Sequence, residues 1–303
     1  VKFCNHNLNS KLFRCIKVVI VKENGLYYRF QTGPGIPVAV SDNLCSWKYC
    51  RKVFDENPRW TSEKIPGSTH FWAPEVVFRD GWWRIYYSVS TFGSNRSAIG
   101  LARSRTLDVN SAEYGWEDLG AIIESVPENN YNCIDPAVIR DENGTDVLLF
   151  GSFWGGLQEI ALGADGFVKK GEKPVTVASR GTNPNPIEGG YLFKHGKYYY
   201  LFASHDFCCR GTASSYHIVV GRSESVCGPF YDDIGVSMSD GGGTTLRNGL
   251  SYSRWAGPGH NTVFADTDNK IYLVYHAYDR LNNGEPELQI EELKWNEYGW
   301  PEF

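Results

Sequence analysis

Apolar and polar residues alternate in five stretches of the chain. After a short turn, each is followed by a second stretch rich in aromatic residues. The stretches are "IKVVIVKENGLYYRF", "APEVVFRDGWWRIYYS", "IDPAVIRDENGTDVLLFGS", "IEGGYLFKHGKYYYLFAS" and "GHNTVFADTDNKIYLVYHA". A period of two predicts strands rather than helices, and the intervening Gly or Asn marks hairpin turns. Further strands follow directly in "AIGLARS" and "HIVVGRS". Five units in 303 residues leave roughly sixty residues each, room for a four-stranded blade with its loops. The pattern predicts an all-β, five-bladed β-propeller forming one domain over residues 1–303. A β-sandwich gives no reason for five similar hairpins.

Composition agrees with many short strands and tight turns: aromatics make up 15%, including 10 Trp and 18 Tyr, and there are 32 Gly. About two-thirds of the aromatics are expected to fill the core, leaving others to stack on sugars. A formal charge of −5 without a basic cluster argues against nucleic acid or an anionic membrane as partner. No apolar run of about 18 residues is present to span a membrane. The opening "VKFCNHNLNSKLFRC" lacks a signal peptide's apolar core, so any such peptide is expected to have been removed or left out. The 8 Cys show no zinc spacing. Cys4–Cys15 and Cys45–Cys50 could each close a short loop, and Asn95 and Asn143 begin formal glycosylation triplets. A secreted, monomeric protein is expected.

In a propeller, the first strand of each blade lines the central channel, so the five strand heads converge. Those heads carry Lys17, Pro74 (flanked by Trp72 and Glu75), Asp135, Glu188 and His260. Asp135 and Glu188 lie in apolar surroundings, "CIDPAV" and "PIEGGY", where a merely solvated charge is out of place. A turn or capping role is the alternative for Asp135. Two carboxylates converging from different blades suit acid–base cleavage of a glycosidic bond.

The segments "FWAPEV", "YYSVSTFGSNRSAIGLA", "IDPAV", "GSFWGG", "IEGGYL", "DFCCRG", "VGRS" and "GPGHNTV" occur in order. Together they resemble glycoside hydrolase family 43, above all its endo-α-1,5-L-arabinanases, from about Asn24 to His276. The resemblance implies a five-bladed propeller that hydrolyses plant pectic arabinan with inversion. It implies Glu188 as general acid and Asp135 as the carboxylate that orients it and raises its pKa. It further implies Trp72, Phe92, Ser152, Phe153 and Trp154 as sugar-subsite residues. Arg210 falls in a segment typical of arabinanases, and His276 resembles a histidine beside a channel ion, often calcium. A buried structural histidine is the other reading of His276.

The first strand departs from the family. Where the resemblance calls for His-Asp-Pro, with Asp as general base, the register set by "NGLYYRF" places Ile16-Lys17-Val18. A charged lysine cannot accept water's proton. Asn5-His6-Asn7 supplies no carboxylate. Three explanations follow: a pseudoenzyme that binds arabinan without cutting it, an inauthentic N-terminus, or Glu75 serving as base. Arabinofuranosidase or β-xylosidase specificity remains an alternative on the same fold.

Overall fold

The computed structural model describes residues 17–303, so Cys4, Cys15, Ile16 and Asn5-His6-Asn7 lie outside the described residues. The first blade comprises β1 (Val18–Glu23), β2 (Leu26–Gln31), β3 (Pro37–Ser41) and β4 (Lys48–Lys52). The second holds β5 (Trp72–Arg79), β6 (Trp82–Val89), β7 (Ser97–Ser104) and β8 (Glu117–Ser125). The third is β9 (Ala137–Arg140), β10 (Asp146–Phe150), β11 (Leu157–Ala161) and β12 (Val175–Ala178). The fourth is β13 (Ile187–His195), β14 (Tyr198–His205), β15 (His217–Ser223) and β16 (Thr244–Arg247). Among the described residues the fifth has three strands, β17 (Trp255–Ala265), β18 (Ile271–Asp279) and β19 (Glu285–Glu292), followed by the ribbon β20 (Lys294–Trp295) and β21 (Pro301–Glu302). A short helix, α1 (Arg59–Lys64), interrupts the strands between the first two blades.

Within each blade the strands run antiparallel in chain order, and the first strands β1, β5, β9, β13 and β17 neighbour one another around the axis. Five hydrophobic clusters fill the five seams between blades. The seam that closes the ring joins Val18, Ile20 and Tyr27 of the first blade to Phe264, Val274 and Leu288 of the last. A polar latch reinforces it. Lys22 Nζ meets Asp266 Oδ1 at 2.6 Å, and the Tyr27 hydroxyl donates to Asp266 Oδ2 at 2.6 Å.

Each head after the first blade has a residue in the left-handed region: Ala73 (φ 47°), Asp135 (φ 61°), Gly189 (φ 59°) and His260 (φ 52°). In β5, β13 and β17 this residue sits in a bulge, where pairing skips between Trp72 and Glu75, Glu188 and Tyr191, and Gly259 and Thr262. A bulge re-aims the side chains beside it, here at the channel mouth. Left-handed backbone is unfavourable for Ala, Asp and His and persists only where surroundings hold it. The preceding blade supplies that hold. Ala73 N donates to Thr32 Oγ1 (3.0 Å), Asp135 N to Ser88 Oγ (2.9 Å), and His260 N to Ser204 Oγ (2.7 Å).

Two expectations are corrected. Cys50 is a free thiol, so no Cys45–Cys50 bridge closes that loop. Asn95 is 5% exposed, and its amide nitrogen donates to the carbonyls of Val126, Asn129 and Tyr131. That nitrogen is committed to the fold and is inaccessible to a glycan, whereas Asn143 is exposed in a turn.

Candidate active site

Lys17 stands one residue before β1 and is 1% exposed. Its Nζ donates to the Pro136 carbonyl at 3.0 Å, which places the amine at the head of the third blade. Burial pushes its pKa down, opposed by the charges of Asp135 and Glu75. Lys17 therefore faces the carboxylates without a direct ion pair to either.

Asp135 is buried, accepts from Gly189 N at 3.3 Å, and has His260 Nε2 3.8 Å from its Oδ1. Burial, joined by the Glu188 charge, lifts its pKa to about 7 despite the pull of Lys17. Lys17 favours ionised Asp135, but desolvation outweighs that attraction. His260 is held neutral by burial, with Lys17 and His276 adding positive charge nearby.

Glu188 is the more exposed of the two head carboxylates. Ser152 Oγ donates to its Oε2 at 2.6 Å, and the Tyr216 hydroxyl donates to its Oε1. Tyr216 reaches this position because Gly259 leaves room: a Cβ there would stand 1.6 Å from the tyrosine ring. Tyr216 escaped the sequence reading. Its one signal is an aromatic residue just before "HIVV", and nothing local marks it as a carboxylate partner.

Glu75 lies deeper in the channel. It is 1% exposed, burial lifts its pKa to about 7, and its Oε2 has no hydrogen-bond partner.

Of the residues expected to contact sugar, Ser152, Phe153 and Trp154 lie beside the Glu188 strand. Ser152 leads into Phe153 and Trp154, both with left-handed backbone (φ 53° and 34°). Phe153 N donates to Ile187 O, and Asn185 Nδ2 donates to Trp154 O, which ties this turn to the Glu188 strand. Phe153 lies 5.9 Å from Phe207, whose other company is the Arg210 guanidinium at 4.4 Å. Trp72 is half-buried, its Nε1 bonded to His70 Nε2 at 2.9 Å. Phe92 is 87% exposed and projects into solvent. His276 is 1% exposed, edge-on to Tyr278 and tilted against Tyr216.

Five blades converging on a buried acid cluster, beside a groove edged with aromatic rings, define a propeller glycoside hydrolase. Glycosyl hydrolases family 43 matches residues 16–301, and the chain belongs to that family. It is 41% identical over 296 residues to an extracellular exo-α-(1→5)-L-arabinofuranosidase of Cellvibrio japonicus, covering 94% of this chain and 84% of the relative. It is 39% identical over 289 residues to an extracellular endo-α-(1→5)-L-arabinanase of Bacillus subtilis, covering 94% and 86%. The solved Cellvibrio cellulosa α-L-arabinanase in complex with arabinohexaose superposes with a TM-score of 0.90 at 40% identity, covering 95% and 94%.

Proposed function

We propose that the chain is an extracellular protein of the α-1,5-arabinanase type that binds arabinan in the groove above Glu188. In this reading its hydrolytic activity is severely reduced by Lys17. The similarity to arabinan-active relatives of both exo and endo type supports the substrate class, and the position of Lys17 supports the loss.

Inverting hydrolysis needs an acid on the leaving oxygen and a base on the water attacking from the opposite face. The acid half is present. Glu188 is oriented by Ser152 and Tyr216, reaches the groove, and has Asp135 behind it. The base half is replaced by an amine that already donates its proton to the Pro136 carbonyl.

Among the described residues no three His, Cys, Asp or Glu side chains converge as ligands, so an ion beside His276 would draw most of its oxygens from water. No step is assigned to an ion.

The observation that carries the proposal is the buried Lys17 at the head of the first blade. Calorimetry with arabinohexaose tests the binding half: heat of binding is expected and should weaken in Trp154→Ala. No heat at millimolar ligand would remove arabinan from consideration. Reducing-sugar release from linear arabinan tests the other half, with near-background release expected.

A further inference from the structure

The segment Asp206–Tyr216, between β14 and β15, carries adjacent thiols at Cys208 and Cys209, and the reading of the site has given them no role. Both are free, with Cys208 half-buried and Cys209 exposed. The loop around them is pinned on each side. Asp206 N donates to Pro186 O, Ser215 N and Tyr216 N donate to Phe207 O, and Arg210 N donates to Ser214 Oγ. Cys209 itself is left-handed (φ 64°), with its N–H donated to the Tyr278 hydroxyl at 2.8 Å. A non-glycine residue held in this region, beside a reactive group, stores strain that a covalent change can redistribute.

We propose that Cys208 and Cys209 form a redox-modifiable vicinal dithiol, closing to a disulfide on reaction with a small-molecule disulfide and reshaping the groove beside Glu188. The two thiols are adjacent in the chain, and both sit within electrostatic reach of Glu188. The neighbouring Cys208 thiol holds the Cys209 pKa below its usual value, while Cys209 and burial raise that of Cys208. Exposure and thiolate character make Cys209 the attacking sulfur. With glutathione disulfide, Cys209 displaces one glutathione thiolate and forms a mixed disulfide. Cys208 then gives up its proton and attacks Cys209 Sγ, releasing the second glutathione. Two protein thiols lose two electrons, and one glutathione disulfide gains them.

The link to the site runs through the loop. Tyr216, at its far end, donates to Glu188 Oε1, and Cys209 is bonded to Tyr278, against which His276 packs. Joining adjacent sulfurs forces their peptide unit into a tight ring. The Cys209–Tyr278 contact must give way, and the segment must shift relative to Glu188.

Trypsin releases Tyr198–Arg210 with both cysteines in one peptide, which makes the test direct. The full chain is treated with glutathione disulfide, alkylated and digested. The expected peptide resists alkylation, is about 2 Da lighter than the reduced one, and regains two alkylation sites after dithiothreitol. Hydrogen exchange of the closed form should differ from the reduced form across residues 206–216, while Cys208→Ser should retain a mixed disulfide and show no closed peptide. Persistent glutathionylation of the natural chain, two alkylated thiols, or closure without a change in exchange at 206–216 would each overturn the proposal. The readouts require no sugar, so their failure leaves the arabinan-binding reading standing.

Discussion

Replacing Lys17 by Asp should turn on hydrolysis. The side chain is 1% exposed and its amine ends at the Pro136 carbonyl. Aspartate stops two atoms earlier along the stem, which vacates space on the order of one water molecule. The substitution therefore supplies both a carboxylate and a place for the nucleophile. Asp135 and Glu75 do not stand in the way. Both already have pKa values near 7 with Lys17 pulling them down, so without it they rise further and stay protonated in mildly acidic buffer. A general base is typically worth ~10²–10⁴-fold, or about 3–5 kcal/mol of barrier. Reducing-sugar release from linear arabinan should rise by at least about a hundredfold, with Ile16→His and Val18→Pro as supporting changes. Lys17→Met separates base from charge, since it removes the amine without adding an acceptor and should stay near background. If the unaltered chain cleaves as fast as Lys17→Asp, or Met restores as much as Asp, the base assignment is wrong.

Glu188→Gln in the Lys17→Asp background should return sugar release to background, because the amide has no proton to give the leaving oxygen; retained turnover would move the acid elsewhere. Asp266→Asn should lower thermal stability by about 2 kcal/mol near neutral pH. Hydrogen bonds from Lys22 and Tyr27 overcome partial burial and hold its pKa at about 2 against an ordinary 3.8. That contribution is present above pH 3.8 and disappears as pH falls through about 2, so acid melts of natural and variant chains should converge there. Glu159 behaves oppositely: it is buried, with neither carboxylate oxygen hydrogen-bonded by an N–H or O–H, and burial lifts its pKa to about 8. Its native state holds the proton more tightly than the unfolded chain, so stability should fall as pH rises from about 4.5 to about 8. Glu159→Gln should flatten that slope in melts at stepped pH. Chelation with EDTA should lower the melting temperature and added calcium should restore it; an unchanged melt would leave His276 as a buried core histidine.

Most of the fold was legible because period-two patterning and hairpin turns act locally. Each of the five repeated stretches contributes the opening strands of a blade. The short helix at 59–64 was missed, since its sequence "RWTSEK" carries less than two turns of amphipathic signal. Asp135, Glu188 and Lys17 were legible as strand heads because the repeat aligns them. Their electrostatics were not, because the pKa of Asp135 depends on burial depth, which no local pattern reports. Tyr216 and Ser88 were invisible for a related reason. Tyr216 reaches Glu188 from 28 residues away within the fourth blade, and Ser88 reaches Asp135 across a blade boundary from 47 residues away. Asn95 shows the converse. Its triplet is formally complete, but three long-range carbonyl contacts remove it from the surface.

The seam that closes the ring sets a timetable for the site. Lys17 precedes the first strand, while the surface that covers that strand comes from Phe264, Val274 and Leu288 of the last blade, together with Thr262 bonding to Val18 O. As the chain leaves the ribosome, the first blade is made early and must wait, one edge uncovered, for the fifth to arrive. Contacts spanning 244 residues of sequence are slow to form and leave apolar strand surface open meanwhile. A lysine at that waiting edge keeps its charge in water until the ring shuts, and a charge there opposes premature pairing with other chains. Lys17, 1% exposed in the closed ring, gives up its hydration only when the final blade docks.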